Sequence, residues 1–285
     1  GNWALAPPLS GGRRPEIQPQ GHCCSLYREK GGFVKPRCLF AGEKVQWAEK
    51  EGAIMHYKLV YPAVFLERPN RFIARCLLDG QEVWAHVKNT GRCRELLLPG
   101  ATVYLEKAQN PQRKTAYSLI AVEKGDLLIN MDSQAPNALA EEAILSGRVA
   151  LPGFHAGAFA LRREVTHGDS RFDLYLEEGE RRAFVEVKGV TLEEDGVALF
   201  PDAPTQRGIK HLEGLSRAVG EGYGAALLLV IQFTGAKEFC PNDKTPPQFG
   251  EALRRAQEAG VQLLCYECAV APSHVEVTAP IPIRL

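Results

Sequence analysis

"RFDLYLEEGERRAFVEVKGV", residues 171–190, alternates like two β-strands joined at a tight turn, and it decides how the second half of the chain is understood. Successive side chains of a strand take opposite faces. Phe172, Leu174 and Leu176 then share one face of the first strand, with Arg171, Asp173 and Tyr175 on the other. On the second strand Val185 and Val187 share the apolar face, leaving Phe184, Glu186 and Lys188 opposite. Pairing the two apolar faces brings Asp173, Glu186 and Lys188 to one common side. A hairpin bound for a protein core has no packing reason to carry two acids and an amine in register.

Chemistry supplies the reason. Two carboxylates on neighbouring strands offer hard oxygen ligands to Mg²⁺ or Mn²⁺, which keeps several waters and takes phosphate oxygen as a further ligand. Such a cation activates a bound water and neutralises charge during phosphodiester cleavage. A lysine beside it orients the attacking water. Asp173, Glu186 and Lys188 are therefore the expected catalytic set. The competing account is a solvated face carrying an ordinary ion pair. The helical run "NALAEEAIL" weighs against it. Glu142 falls about 60° from both Leu139 and Leu145 on the helical wheel, beside the packed stripe, and joins Asp173 and Glu186 as an expected metal ligand. Downstream, "PTQRGIKHL" sets Arg207, Lys210 and His211 about one helical turn apart, a basic edge suited to a phosphate backbone.

Around the hairpin, helix and strand alternate. "SQAPNALAEEAILSG" has Pro136 near its start and Gly147 at its end, as helices do. Strands are expected at 158–166, 171–177 and 183–190. A helix follows in "PTQRGIKHLEGLSRAVGEG", a doubly buried parallel strand in "AALLLVIQF", then a helix "PQFGEALRRAQEAG" and a strand "VQLLCYECAV". Residues 133–285 are thus expected to form an α/β domain with a mixed sheet.

Upstream the pattern differs. Residues 56–131 hold short β-patterned runs ("HYKLV", "RFIARCLL", "EVWAHV", "TVYLEKA", "AYSLIAV", "DLLINM") separated by turn signals, which predicts a small oligonucleotide/oligosaccharide-binding (OB) barrel over 55–132. Its loops "HVKNTGR" and "NPQRKT" carry Arg92, Arg94, Arg113 and Lys114, candidate nucleic-acid contacts beside aromatics such as Phe72, Trp84 and Tyr104. Residues 1–54 are rich in Pro, Gly, Gln and Arg without hydrophobic periodicity and are expected to be disordered or loosely attached. Met55, where regular patterning begins, is a candidate start.

The chain has 285 residues, 45% apolar and 24% charged, and a formal net charge of zero. Residues 1–135 are mildly basic and 136–285 acidic, which suits a basic binding module ahead of a cation-attracting site. Eight scattered cysteines, with one close Cys265-x-x-Cys268 pair inside a strand-like run, are expected to be reduced and mostly buried, which points to the cytoplasm. No stretch approaches the ~20 apolar residues of a membrane span.

The blocks "ERPNRF", "HVKNTGRCRELLLPG", "NPQRKTAYSLIAVEKG", "SQAPN", "SRFD", "VEVKGVTLEE", "FPDAPTQRGIKHL" and "FTGAKEFCPND" resemble, in order from about Tyr57 to Leu285, the sugar fermentation stimulation protein (SfsA) family. The resemblance implies an OB-like barrel followed by a domain of PD-(D/E)XK nuclease fold. It also implies binding to DNA with little sequence preference and a role in regulating sugar (maltose) metabolism. By position Asp173 matches the first acid of the nuclease motif, Glu186 and Lys188 its E-x-K, and Glu142 the acid of the leading helix. Gln206 and His167 depart from the family pattern without touching that set. Two functions follow: a Mg²⁺-dependent nuclease, or a non-catalytic DNA-binding regulator that keeps only the fold. The sequence sets neither the strandedness of the nucleic acid nor the oligomeric state.

Overall fold

The computed structural model describes residues 55–89, 91–244 and 247–285. The expectation for residues 1–54 lies outside the described residues.

A two-residue strand, β1 (Met55–His56), precedes the barrel strands β2 (Val60–Asn70), β3 (Ile73–Leu78), β4 (Gln81–Val87), β5 (Thr102–Lys107), β6 (Tyr117–Lys124) and β7 (Leu127–Asn130). The order is β4-β3-β2-β5-β6-β7, and a parallel β4–β6 pairing closes the first five into a barrel. Alternation drives the closure. Ala63, Phe65, Ala74, Cys76, Ala85, Val87, Val103 and Leu105 point inward and are buried. Asp79 and Gly80, with φ of 49° and 78°, make the left-handed turn that joins β3 to β4.

One expected strand divides. Met55 and His56 pair with Val275 and His274 at the far end of the chain, not with the barrel, and the first barrel strand starts at Val60. Its eleven residues slip register twice against β3, which breaks the alternation that marks strands in sequence.

The second half contains α1 (Ala135–Leu145), β8 (Ala160–His167), β9 (Ser170–Glu178), β10 (Arg181–Val190), β11 (Leu192–Glu194), β12 (Val197–Phe200), α2 (Gln206–Gly220), β13 (Gly224–Ile231), β14 (Glu238–Pro241), α3 (Gln248–Glu258), β15 (Gln262–Ala271) and β16 (His274–Pro280). A seven-stranded mixed sheet runs β1-β16-β15-β13-β10-β9-β8, with β10, β13 and β15 parallel. It is covered on both faces. Ala226, Leu228 and Val230 of β13 join the core under α1, while Leu227, Leu229 and Ile231 join the core shared with α2 and α3. That explains the uninterrupted apolar run of β13, since each alternate residue has its own helix to meet. The same division separates Cys265 from Cys268, which lie in opposite cores. The pair cannot grip one metal ion, and burial pushes the Cys265 thiol up to about 12.

Four elements went unforeseen: β11, β12 and β14, which form a small separate sheet, and the closing strand β16. The β11–β12 hairpin turns at Asp195 and Gly196, with φ of 53° and 84°. Its Asp-Gly pair was a usable signal in the sequence.

Candidate metal centre

The β9–β10 hairpin runs in register from Arg181 opposite Glu178 to Val185 opposite Leu174, and there the ladder stops. Asp173 takes over. Its Oδ2 accepts from the backbone N–H of Val187 at 2.8 Å, so a side chain replaces the next ladder bond. Its Oδ1 accepts from Asn137 Nδ2 of α1 at 2.9 Å. On the other flank, β8 pairs with β9 on either side of Asp173 but not at it, and the facing Glu164 has a φ of 58°.

The strand turns at this point. Phe172 packs in the α2-side core, its ring centroid 5.0 Å from that of Phe184, whereas Leu174 and Leu176 lie in the α1-side core. Strict alternation had put Phe172, Leu174 and Leu176 on one face. That expectation fails because β9 twists where its ladder is interrupted.

Glu186 and Lys188 sit on β10 opposite Leu227 and Leu229, on the α2 side and away from Val185 and Val187. Glu186 is 1% exposed. Its Oε1 accepts from Lys188 Nζ at 2.5 Å and meets His211 Nδ1 of α2, while its Oε2 is buried with no hydrogen-bond partner. Arg207 Nε donates to His211 Nε2 at 3.4 Å, which leaves the ring proton on Nδ1, aimed at Glu186. Burial by itself would push the Glu186 carboxyl up. The hydrogen bond from His211 and the charge of Lys188 outweigh it and hold the group below the usual glutamate range. Asp173 moves the other way, raised by burial and by the negative charge of Glu186.

Two expected members are elsewhere. Glu142 lies five residues beyond Asn137, about 140° around α1 and ~7.5 Å along it. Burial raises its carboxyl, and its charged neighbours are Arg148 and Glu276. The helical wheel gave its position about the helix axis but not the strand beneath it; the α1 residue at Asp173 is Asn137. His211, expected as a nucleic-acid contact, is turned inward onto Glu186 and is 8% exposed. Lys210 faces outward and pairs with Asp169 at 3.4 Å, so the basic edge of α2 is split. Arg207 is exposed.

Among the described residues no three His, Cys, Asp or Glu side chains converge as a metal cluster. The donor set is therefore two carboxylates, one with a buried oxygen lacking a partner. That set fits a hard cation that relies on water and phosphate for its remaining ligands.

A cleft of about 370 Å³ reaches Asn137 and Lys188 of the centre, while Asp173 and Glu186 do not line it. Asn137, Lys188, Gly189 and Gln232 line it from the sheet domain, and Asn89 and Gly91 from the barrel. A polar network welds the two halves behind it. Buried Asp132 accepts from Lys88 Nζ at 2.6 Å, and its Oδ1 accepts from the N–H of Gln134 at the entry to α1. Gln232 Nε2 donates to Asn130 Oδ1 at 2.8 Å, and Asn130 Nδ2 donates to Tyr57 at 3.0 Å.

On the barrel, Arg92, Arg94, Arg113 and Lys114 are exposed, and Arg113 also donates to Ser118 Oγ at 3.2 Å. Arg68 was missed. Its guanidinium donates to the carbonyls of Gly91, Arg92, Asn89 and Arg71 at 2.6–2.9 Å, tying the β2–β3 turn to the loop after β4. The "ERPNRF" block held the signal: an arginine at the end of a strand, with no acid among the residues after it in that block.

Residues 66–131 match the sequence model of the SfsA N-terminal OB domain, and residues 134–274 that of the sugar fermentation stimulation protein RE domain. The chain belongs to the sugar fermentation stimulation protein family. A homologue from Desulfitobacterium hafniense is 49% identical over 231 residues, covering 81% of this chain and 99% of the relative. One from Alkaliphilus oremlandii is 52% identical over 226 residues, covering 78% and 95%. The solved structure of Pyrococcus furiosus SfsA in complex with Ca²⁺ matches with a TM-score of 0.73 at 26% identity, covering 82% of this chain and 99% of that one. An OB barrel followed by a mixed-sheet domain is thus the architecture of this SfsA family member. Among its described residues, no helix is long and apolar enough to cross a membrane.

Proposed function

We propose that this SfsA family member binds DNA and holds a divalent cation, Mg²⁺ or Mn²⁺, between Asp173 and Glu186, as a nuclease-like phosphodiesterase acting in the regulation of sugar metabolism. The observation that carries the reading is Glu186: a buried carboxylate kept ionised by Lys188 and His211, with one oxygen unpartnered beside a second acid. An anion with a spare buried lone pair costs stability unless something positive completes it. The raised Asp173 adds to the argument, because a cation would relieve the like-charge repulsion that raises it. The Ca²⁺ named with the Pyrococcus protein supports a family affinity for hard cations.

The cation, when bound, would supply Lewis acidity and an activated water. The chain's own residues do the positioning. Asn137 and the Val187 N–H fix the Asp173 carboxylate, His211 and Lys188 fix that of Glu186, and Lys188 also lines the cleft where a phosphate would lie.

A second reading, a regulator without cleavage, has its own observation. Both Asp173 oxygens already accept protein hydrogen bonds, and Lys188 neutralises Glu186 directly.

One experiment separates the two. Titration calorimetry with Mn²⁺ should show binding to the wild type and a loss of at least tenfold in Asp173→Asn. Labelled DNA incubated with Mg²⁺, Mn²⁺ or EDTA should be cut only with metal, and not by Lys188→Ala. Metal uptake without cleavage would leave the regulator; no uptake at millimolar Mn²⁺ would remove the metal centre altogether.

A further inference from the structure

Phe72 and Trp84 of the barrel are each 51% exposed. Large aromatics are the strongest contributors to a small apolar core, so leaving two in water forgoes stability. Trp84 stands on the outside of β4 opposite Arg75 of β3. Phe72 lies at the β2–β3 turn, where its carbonyl accepts from the Val87 N–H. The outer face of the second and third barrel strands, here β3 and β4, is where OB barrels take oligonucleotides.

Charge on this surface is graded. Arg75 lies 3.2 Å from both Glu67 and Glu82, so the Trp84 end carries two acids against one base and is weakly negative. Arg71 and Arg92 are exposed at the Phe72 end, and among the described residues neither is ion-paired. Arg68 holds both of their carbonyls, which fixes the two backbones within reach of one guanidinium. Lys210 and Arg217 differ, since both are paired with Asp169.

The same guanidinium holds the carbonyls of Asn89 and Gly91, which line the cleft leading to Lys188. Aromatics, free cations and cleft are therefore joined through one clamped loop.

We infer that the nucleic acid taken by this protein is single-stranded, with bases stacked on Trp84 and Phe72 and its backbone passing Arg71 and Arg92 into the cleft beside Lys188. Paired bases offer no open face to an aromatic ring, so an exposed aromatic pair selects unpaired strands. The inference rests on the nucleic-acid part of the proposed function and not on its metal.

The test is fluorescence anisotropy in EDTA, with a labelled oligothymidine and a duplex of equal length. The strand should bind at least tenfold more tightly than the duplex. Trp84→Ala and Phe72→Ala should each weaken strand binding about tenfold and leave duplex binding within twofold, with melting temperatures unchanged because both side chains are exposed. Trp84→Phe should retain most of the affinity. Equal or tighter duplex binding, or equal weakening of both ligands by the alanine variants, would overturn the inference. 5-Iodouracil placed along the strand should cross-link to Trp84 or Phe72 and, a few bases on, to the cleft. Cross-links confined to Arg113 and Lys114 would overturn the path. A strand preference without Mn²⁺ uptake leaves this inference standing and the metal reading fallen. Mn²⁺ uptake with neither ligand bound does the reverse.

Discussion

Arg68 in the barrel and Glu186 in the sheet domain each leave one polar atom buried without a partner, Nε and Oε2, yet the two side chains serve opposite ends. Arg68 distributes its charge over four backbone carbonyls and meets no carboxylate among those contacts. Its remaining N–H is the surplus of a fork shaped to hold a loop. Glu186 has two cationic or proton-donating partners crowded on one oxygen, its other oxygen has none, and its negative charge is felt at Asp173. An unpaired donor among carbonyls is an architectural leftover. An unpaired acceptor close to another carboxylate is where the proposed cation would be held.

The comparison breaks hardest at Glu186. Glu186→Gln leaves Lys188 and His211 without their anion, and unfolding should become easier by about 3 kcal/mol. That is the low end for breaking a buried pair, because Lys188 keeps some access to water. Chemical denaturation reads this directly, and a change within ~0.5 kcal/mol would mean that the charge adds nothing to the fold.

A smaller effect is expected at Arg68. Lysine cannot reproduce the fork, so Arg68→Lys should cost about 1–2 kcal/mol, since water can reach several of the released carbonyls. It should also loosen the loop carrying Asn89, Gly91 and Arg92. Hydrogen exchange should show faster exchange there and no change around Glu186; a change in both places would join the regions into one unit.

Asp173→Asn should have the smallest effect on stability at neutral pH, below ~1 kcal/mol, because relief of repulsion offsets a poorer contact with the Val187 N–H. Its signature is the pH profile. Folding raises the Asp173 pKa, so that group's contribution is complete below the ordinary aspartate value of about 3.9. It is lost as pH rises through the raised folded value. Folding lowers the Glu186 pKa, so its contribution is present above about 4.3 and is lost as pH falls through the depressed folded value. Asp173→Asn should remove the first loss and leave the second. A pH profile unchanged in Asp173→Asn would show that the two acids do not sense each other.

Much of this arrangement was visible along the chain, and particular residues show where visibility ended. The hairpin, its turn and the shared face of Glu186 and Lys188 follow from a period of two, which survives wherever a ladder is continuous. Phe172 escaped because the period fails at Asp173, where a side chain interrupts that ladder. Residues 55–56 escaped because a two-residue strand has no period, and its partner is some 220 positions away.

Local chemistry by itself pointed to both domains, the turn at Asp79 and Gly80, the shared face of Glu186 and Lys188, and the basic residues of the barrel loops. Each depends on neighbours a few positions apart. Tertiary structure alone decided which helix residue serves which acid. Asn137, not Glu142, reaches Asp173, and His211 turns inward to Glu186 while Lys210, its immediate neighbour, turns out to Asp169. A helical wheel orders side chains about an axis, but the angle at which that axis crosses the sheet sets what lies beneath each one, and that angle comes from packing across distant segments.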